Sequence, residues 1–158
     1  MMFKIRLIEE KDNLEIEKII RDCLIEYGAN HEGTAWADEY LCRLSFVYSE
    51  PKTAYYVAVD ENENIVGLID LRHTLNDFLK DFGNSGYSVR PSERRKGYAT
   101  EMLRQILLIA KQAGLDEVHL SVERDNEPSV KTIVKNGGKY ERSFEFEGEE
   151  ADIYKIVL

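Results

Sequence analysis

Cysteine is scarce in this chain of 158 residues, and its scarcity excludes several kinds of site. Only Cys23 and Cys42 are present, and both fall within helical patterns of apolar residues. We therefore interpret them as buried or half-buried thiols rather than as a disulfide, a metal site or a nucleophile. A zinc ion needs about four ligands, and the sequence has no cluster of cysteine and histidine to supply them. No metal cofactor is expected.

Long apolar runs and an excess of basic residues are also lacking. No apolar stretch approaches the ~20 residues that a membrane-spanning helix needs, and residues 1–6 lack the pattern of a signal peptide. We expect a cytoplasmic protein with no membrane partner. The 30 acidic residues outnumber the 21 basic ones, so the net charge is −9. Nucleic acid is therefore not expected as a partner, whereas a cationic amine would be attracted.

Apolar periodicity predicts an alternation of strands and helices in one domain, residues 1–158. Alternating patterns predict strands at 3–8, 54–59, 65–71, 86–90, 117–123, 139–146 and 151–158. Helical patterns cover about 12–27, 35–48, 98–113 and 128–135. Asp12 and Glu15 resemble a capping box for the first helix, and Pro128 suits the first position of the last one. Residues 72–84 are less regular and predict a short helix or a covering loop.

The most informative stretch leads from the strand at 86–90 into the helix that begins near Tyr98. Pro91 ends strand pairing because it has no N–H group. The first turn of a helix has unpaired N–H groups and partial positive charge, which phosphate oxygens can use. A small residue, Ala99, does not obstruct that approach. The connecting loop carries three cations and a glycine: Arg94, Arg95, Lys96 and Gly97. The stretch indicates a site for a pyrophosphate-bearing cofactor, with a solvated surface loop as the alternative.

Arg94-x-x-Gly97-x-Ala99, placed between this strand and this helix, resembles the acetyl-CoA motif of the GNAT superfamily of acyl-CoA-dependent N-acetyltransferases. That motif reads Arg or Gln, two residues, Gly, one residue, and Gly or Ala. The resemblance continues through most of the chain, and the hairpin at 54–71 looks like the central meander of the family. It implies an α+β fold: a single GNAT-like domain with a mixed, mostly antiparallel sheet of six to seven strands, about four helices and splayed central strands.

The resemblance also implies where acetyl-CoA would bind as a cosubstrate. The pantetheine arm would lie along the splayed strand, at the backbone of Ser88 and Val89. Asn126 and Ser129 match a family pattern in which an asparagine follows a strand and a small residue comes three positions later. Family members end the following helix with Gly-Phe, where this chain has Gly137-Gly138. The pyrophosphate would meet the loop and the first helical turn, at Arg94, Arg95, Lys96, Gly97, Tyr98, Ala99 and Thr100.

Acetyl transfer to an amine needs a donor for the carbonyl oxygen, a base for the amine and a proton for the thiolate. By resemblance, a backbone N–H near Val89 would be the donor. Many family members use a tyrosine seven residues after the asparagine as the acid, but Ile133 stands there and cannot donate a proton. Glu123 closes its strand on the cleft side and is the first choice for the base. The other candidates for the base or for acyl and acceptor contacts are His73, His119 and Tyr87.

The acceptor is expected to be an amine-bearing small molecule or protein. By resemblance, residues 28–38 help to form its binding wall, and Arg72, His73 and Asn76 could bind it or bond their own loop. Acids gather near the last hairpin, where they could steer a cation or simply protect a sheet edge. They are Glu145, Glu147, Glu149, Glu150 and Asp152. Related folds often dimerise through their last strands, so a homodimer is left open.

Acetyl transfer competes with a second enzymatic function, in which the same fold uses another acyl-CoA or another acceptor, and with two functions of other classes. The domain could bind CoA without turnover, as a regulatory or structural module, because the tyrosine is missing at position 133. A nucleotide-phosphate site is the second alternative. The sequence has neither Gly-x-x-x-x-Gly-Lys-Ser/Thr nor Gly-x-Gly-x-x-Gly, so it matches neither a P-loop nor a dinucleotide-binding fold.

Overall fold

The computed structural model describes residues 3–48, 53–75, 81–146 and 148–158. The described helices and strands follow the order predicted from the sequence, except that residues 35–43 form short 3-10 helices instead of the start of an α-helix. In chain order they are β1 (Phe3–Leu7), α1 (Asn13–Glu26), α2 (Leu44–Val47), β2 (Thr53–Asp60), β3 (Ile65–Arg72), β4 (Tyr87–Val89), α3 (Tyr98–Gln112), β5 (Glu117–Glu123), α4 (Glu127–Lys135), β6 (Lys139–Phe146) and β7 (Glu149–Val157).

The strands form two antiparallel sheets, which confirms the prediction of an α+β fold with mostly antiparallel pairing. One sheet has the order β1-β2-β3-β4, and the other has the order β5-β7-β6. The predicted count of six to seven strands and about four helices is also confirmed. The strands are divided between two sheets instead of forming a single mixed one. In the described ladders β4 pairs with β3, and β5 pairs with β7.

The chain divides into two compact units, and the first comprises Met1–Ile69 and Tyr87–Tyr98. Its core forms because α1 places apolar residues at three- and four-residue steps, so that they share one helix face. Ile16, Ile19 and Cys23 on that face pack against Val57 and other residues of the sheet. Fully burying such an aliphatic side chain contributes about 1.5–3 kcal/mol. This packing holds α1 beside β4 and the segment that follows it.

The second unit comprises Asp70–Gly86 and Ala99–Leu158. Its main helix, α3, buries Met102, Leu103, Ile106 and Ala110, as the periodicity predicted. The helix ends before Gly114, whose φ of 93° is the left-handed conformation favoured at helix C-termini. The prediction of one domain over residues 1–158 stays a prediction.

The predicted helix at 35–48 is wrong in its first half. The chain there forms two short 3-10 helices, Ala35–Ala37 and Leu41–Arg43, before the single turn of α2. Tyr40 is exposed in this segment, while Trp36 is half-buried and lies under the guanidinium of Arg21 at 4.8 Å. The continuous apolar face that the spacing suggested is therefore absent, and the residues serve as a covering segment of the first unit.

The expected capping box between Asp12 and Glu15 is also wrong. The Asp12 carboxylate accepts a hydrogen bond from the backbone N–H of Glu9, at 2.8 Å, and two from the guanidinium of Arg6, at 2.7 and 2.9 Å. Asp12 therefore closes a 3-10 turn, Glu10–Asp12, ahead of α1. Part of the irregular segment predicted at 72–84 lies outside the described residues, including Asn76.

Candidate active site

Strand β4 presents the backbone of Val89 on the edge that faces away from β3. The N–H of Arg90 donates to the carbonyl oxygen of Val66 on β3, at 2.8 Å, and Val89 lies opposite Gly67 in the register. Because backbone groups alternate between the two edges of a strand, Ser88 is turned toward β3 and Val89 away from it. The Val89 carbonyl accordingly accepts a hydrogen bond from Arg94 Nε at 3.4 Å. Of the two predicted backbone contacts, the orientation favours Val89.

The loop after β4 has an unusual backbone conformation at two of its residues. Pro91–Glu93 forms a 3-10 turn, as the proline suggested. Arg95 then has a φ of 63° and Gly97 a φ of 85°. A positive φ is uncommon for a residue other than glycine, and such strain is often found at functional sites. Left-handed residues in a turn can aim successive N–H groups into one concavity, which is an anion-binding arrangement.

The three cations of the loop have different surroundings. Arg94 forms an ion pair with Glu26 on α1. Lys96 donates to Glu93 at 2.8 Å, and this hydrogen bond raises the pKa of Lys96. Arg95 is exposed and forms no ion pair with any other described residue. The sequence indicated three equivalent positive charges, whereas the structure leaves Arg95 as the least engaged of them.

The first turn of α3 is anchored on each side by a residue that the sequence did not single out. The ring of Tyr98 meets the ring of Phe3 edge to face, with centroids 5.1 Å apart. In the second unit, the carbonyl oxygen of Thr100 accepts a hydrogen bond from Asn136 Nδ2 at 3.2 Å. Ala99 follows Tyr98 in the same turn. These contacts fix the helix start where the pyrophosphate is expected.

Asn126 and Ser129 have a local structural role at the start of α4. The Asn126 side chain accepts a hydrogen bond from the backbone N–H of Ser129, at 3.4 Å, and Pro128 stands in the first turn. This is the geometry of an N-cap. The three-residue step from Asn126 to Ser129, which matched the family pattern, is therefore also the spacing that caps the start of α4. Their role as cofactor contacts stays a prediction.

The catalytic candidates lie in both units. Tyr87 is a half-buried residue of β4, in the first unit, and His73 and Glu123 belong to the second. Burial raises the pKa of Glu123, and the neighbouring carboxylates of Glu149 and Asp125 raise it further. Among the described residues, no hydrogen bond or ion pair joins His73 to Glu123. The role of Glu123 as the base, with His73 and Tyr87 as the other catalytic candidates, stays a prediction.

Two other residues weighed for proton transfer are placed unfavourably for it. His119 has both ring nitrogens beside carboxylates, Nε2 at 2.9 Å from Glu117 and Nδ1 at 3.2 Å from Glu141. Neither nitrogen is therefore available to a substrate. Ile133, at the position of the family tyrosine, is 1% exposed and lies in the core of the second unit. Ile133 therefore cannot take the role that the tyrosine has in many family members.

A polar cavity of about 250 Å³ lies in the first unit, just ahead of the loop. Arg90, one of its lining residues, is already ion-paired with Glu15. The cavity also presents Asp60 and Glu93, so its negative charge disfavours a phosphate. We therefore do not place the cofactor in it.

The described residues include no group of three or more histidine, cysteine, aspartate or glutamate side chains arranged to hold a metal ion. In the same part of the chain, no helix combines the length and the apolar character needed to cross a bilayer.

Comparisons with known proteins show which family the sequence matches and which solved structures have a similar fold. The family model described as "Acetyltransferase (GNAT) domain" matches residues 5–139. No curated protein matches the chain. Among solved structures, the spermidine N-acetyltransferase of Vibrio cholerae in complex with CoA and spermine is 19% identical, with a TM-score of 0.76, covering 98% of this chain and 95% of that one.

Two further solved structures show the same similarity of fold. The ribosomal-protein-S5-alanine acetyltransferase of Vibrio fischeri is 20% identical with a TM-score of 0.76, covering 99% of this chain and 93% of that one. A GNAT-family acetyltransferase of Streptococcus pneumoniae is 17% identical with a TM-score of 0.75, covering 99% of this chain and 100% of that one.

Proposed function

The chain belongs to the GNAT acetyltransferase family, and we propose that it transfers the acetyl group of acetyl-CoA to a primary amine of a small molecule or protein. The observation that carries this proposal is the loop between β4 and α3, with its positive φ angles at Arg95 and Gly97. Its backbone shape and its cations suit a pyrophosphate. The match to the family supports the choice of acetyl-CoA.

The proposed residues have separate tasks. Bound acetyl-CoA supplies the acetyl group as a thioester. The N–H of Val89, which points away from β3, donates to the carbonyl oxygen as negative charge develops there. Glu123 takes the proton from the attacking amine, with His73 as the other candidate. Tyr87 contacts the acyl group or the acceptor. The new C–N bond forms as the C–S bond breaks, and the thiolate leaves with a proton from water or another group.

The amine class follows from charge and from the relatives. Glu149 and Asp125 lie close enough to Glu123 to raise its pKa, so a cationic group would be attracted to these three carboxylates. Two of the solved relatives named above are a spermidine N-acetyltransferase and a ribosomal-protein-S5-alanine acetyltransferase. We place the activity in the cytoplasm, with no nucleic acid and no membrane as partner, and we leave a homodimer open.

A CoA-binding module without turnover is the second candidate, and the burial of Ile133 favours it. The acid that many relatives use has no counterpart at this position, because the side chain there is apolar and is 1% exposed. Binding and turnover must therefore be measured separately.

The first experiment is calorimetric titration of the native chain and of Gly97→Trp with acetyl-CoA. A bulky side chain at position 97 should block the approach of phosphate to the backbone. Gly114→Trp is the matched control, because Gly114 has a similar φ of 93° but lies at the far end of α3 with open space around it. We expect binding by the native chain and the control, and its loss in Gly97→Trp.

Turnover is then measured as thiol release from acetyl-CoA on addition of a panel of amines. Release that depends on an amine supports the transferase. Binding of acetyl-CoA without thiol release in the presence of any amine supports the CoA-binding module. A folded native chain that does not bind acetyl-CoA contradicts both functions.

A further inference from the structure

The guanidinium of Arg94 is enclosed by the last turns of α1. Its Nη1 is ion-paired with the carboxylate of Glu26, and its Nη2 donates to Cys23 Sγ at 3.4 Å. The guanidinium carbon lies 5.4 Å from the centre of the Tyr27 ring, within the range of a cation–π contact. All of these contacts are within the first unit. They join the first residue of the loop motif to a helix that lies about seventy residues earlier in the chain.

The same guanidinium also contacts the end of β4. Its Nε donates to the carbonyl oxygen of Val89 at 3.4 Å, and the Cys23 thiol donates to that same oxygen at 3.7 Å. Each of the three guanidinium nitrogens thus has a partner on the protein. Only 26% of the side chain remains exposed. These contacts use three of the five N–H donors of the guanidinium and hold it against α1 and the end of β4.

The next two residues of the loop are different. Arg95 is exposed, and among the described residues it has no ion-pair partner. Lys96 is also exposed, and its one ion pair is with Glu93 of the same loop. The positive charge that is accessible to an anion therefore follows Arg94 in the chain.

We propose that Arg94 is a positioning residue, which fixes the cofactor loop to α1 through Glu26, Tyr27 and Cys23, and that Arg95 and Lys96 supply the charge for the phosphates. This proposal rests on the proposed function of the loop. Anchoring Arg94 restricts the residues that follow it, so that the left-handed backbone at Arg95 and Gly97 is formed before the cofactor arrives. Preorganisation of this kind raises affinity by reducing the entropy lost on binding.

Direct binding of phosphate by Arg94 and positioning of the loop by Arg94 predict opposite effects of Glu26→Gln on the affinity for CoA. If Arg94 grips phosphate directly, Glu26 competes with the cofactor, and Glu26→Gln should tighten binding. If Arg94 positions the loop, Glu26→Gln should loosen it and weaken binding. We expect a dissociation constant for CoA about fivefold higher, which corresponds to about 1 kcal/mol.

The test is calorimetric titration of CoA into the native chain, Glu26→Gln, Arg94→Gln, the double variant and Arg95→Gln. We expect the double variant to bind no more weakly than Arg94→Gln alone, because the two side chains act through one contact. The matched control is Asp22→Asn. Asp22 is on the same helix and is paired with Lys18 at 2.6 Å, so this change removes the same charge without touching the loop.

Salt dependence separates positioning from direct charge. Raising the ionic strength screens a direct contact between a cation and a phosphate. The slope of binding against salt should therefore be smaller in Arg95→Gln and unchanged in Glu26→Gln and Arg94→Gln. If Arg94→Gln proves unstable, Arg94→Lys is used in its place. Lysine keeps the positive charge but has one nitrogen where the guanidinium has three, so this variant should bind CoA as weakly as Glu26→Gln does.

The outcomes distinguish this inference from the function on which it rests. Tighter or unchanged binding by Glu26→Gln, with normal binding by the native chain, overturns the positioning role alone. A smaller salt slope in Arg94→Gln does the same. Absence of binding by the folded native chain overturns the proposed cofactor and the positioning role together.

Discussion

Glu123 is a surface carboxyl group at the end of β5 whose surroundings change its acidity. Burial and the neighbouring Glu149 and Asp125 together raise its pKa. A base must be deprotonated to act, so acetyl transfer should fail on the acid side at a higher pH than an ordinary glutamate would give. Of the two neighbouring charges, Asp125 is close to Glu123 in the chain, whereas Glu149 is brought there by the tertiary structure.

The prediction is that Glu123→Gln lowers kcat by about 10²-fold or more, as expected for loss of a general base. The measurement is a pH profile of kcat with a saturating amine. The acid limb assigned to Glu123 should vanish in the variant. Glu149→Gln is the control: it keeps the base but removes a neighbouring charge, so the limb should move to lower pH. An unchanged limb in Glu123→Gln would transfer the role to His73.

Asp12 shows the opposite shift. Burial by itself raises the pKa of this carboxyl group, but the hydrogen bonds from the Arg6 guanidinium and the Glu9 N–H outweigh it, and the net pKa is lowered below its ordinary value of 3.8. A lowered pKa means that the folded state favours the charged form. The stabilisation is complete above the ordinary pKa and is lost as the pH falls through the lowered one.

We expect Asp12→Asn to reduce the free energy of unfolding at pH 7 by about 2 kcal/mol, the scale of hydrogen bonds to charged groups. The difference from the native chain should shrink as the pH approaches 3 and below. Urea unfolding over a pH series measures it. Asp22→Asn, which removes an exposed pair with Lys18, should cost no more than about 0.5 kcal/mol. Equal effects of both variants would contradict the assignment.

At the scale of elements, Asn84 in the segment before β4 joins β3 to β5. The backbone N–H of Asn84 donates to the His119 carbonyl at 2.7 Å, and its side-chain oxygen accepts from the His119 N–H at 2.8 Å. On its other side, Asn84 accepts from the Arg72 N–H at 2.7 Å and donates through Nδ2 to the Arg72 carbonyl at 2.9 Å. Asn84 is buried, and its hydrogen bonds satisfy backbone groups of Arg72 on β3 and of His119 on β5.

Gly83 makes this bridge possible because it leaves room for β5. Its φ is 80°, and a Cβ atom at this position would lie 2.4 Å from the carbonyl oxygen of His119. Backbone cannot yield as a flexible side chain can. The isolated bridge between Gly83 and Leu120 therefore requires glycine.

Gly83→Ala should destabilise the chain far more than Gly114→Ala. Both residues have positive φ angles, but Gly114 has no atom near the added methyl group. Gly114→Ala should cost roughly 1–2 kcal/mol for the left-handed backbone alone, and Gly83→Ala should add the cost of separating residue 83 from β5. Thermal unfolding of both variants gives the comparison. Equal losses would mean that the bridge contributes nothing.

At the scale of the whole molecule, an anionic cofactor is expected to bind a protein with a net charge of −9. Local positive charge and helix-start N–H groups must then overcome the long-range repulsion. The exposed cations of the loop, Arg95 and Lys96, occupy the place where this compensation is needed.

Cofactor binding should raise the stability of the entire chain, because a ligand that binds only the folded state shifts unfolding by mass action. At CoA concentrations of 100 times the dissociation constant the gain is about 2.7 kcal/mol, which corresponds to a rise in Tm of roughly 5–10 °C for a chain of this size. Differential scanning fluorimetry with increasing CoA measures it. Gly97→Trp should show no rise, and a similar rise in that variant would place the site elsewhere.

Local patterns in the sequence were sufficient to predict the helices and strands that are formed by interactions between residues close together in the chain. The period of α3, the proline at the start of α4, and the strand–loop–helix order around Gly97 all rest on contacts within a few residues. For that reason these elements and their boundaries could be predicted. The prediction of one helix at 35–48 was wrong because the spacing of apolar residues does not show whether the rest of the fold offers a continuous apolar surface for that helix to pack against.

What the sequence by itself determined was the family, through a motif whose meaning is local: a strand end, a glycine that permits a left-handed backbone, and a helix start. Only the tertiary structure decided which side chains surround that motif. It placed Arg94 against Glu26, buried Ile133 in a core, and joined two strands through Asn84. These contacts link residues far apart in the chain, and no periodicity or spacing encodes them, because they depend on how the packed elements bring distant side chains together.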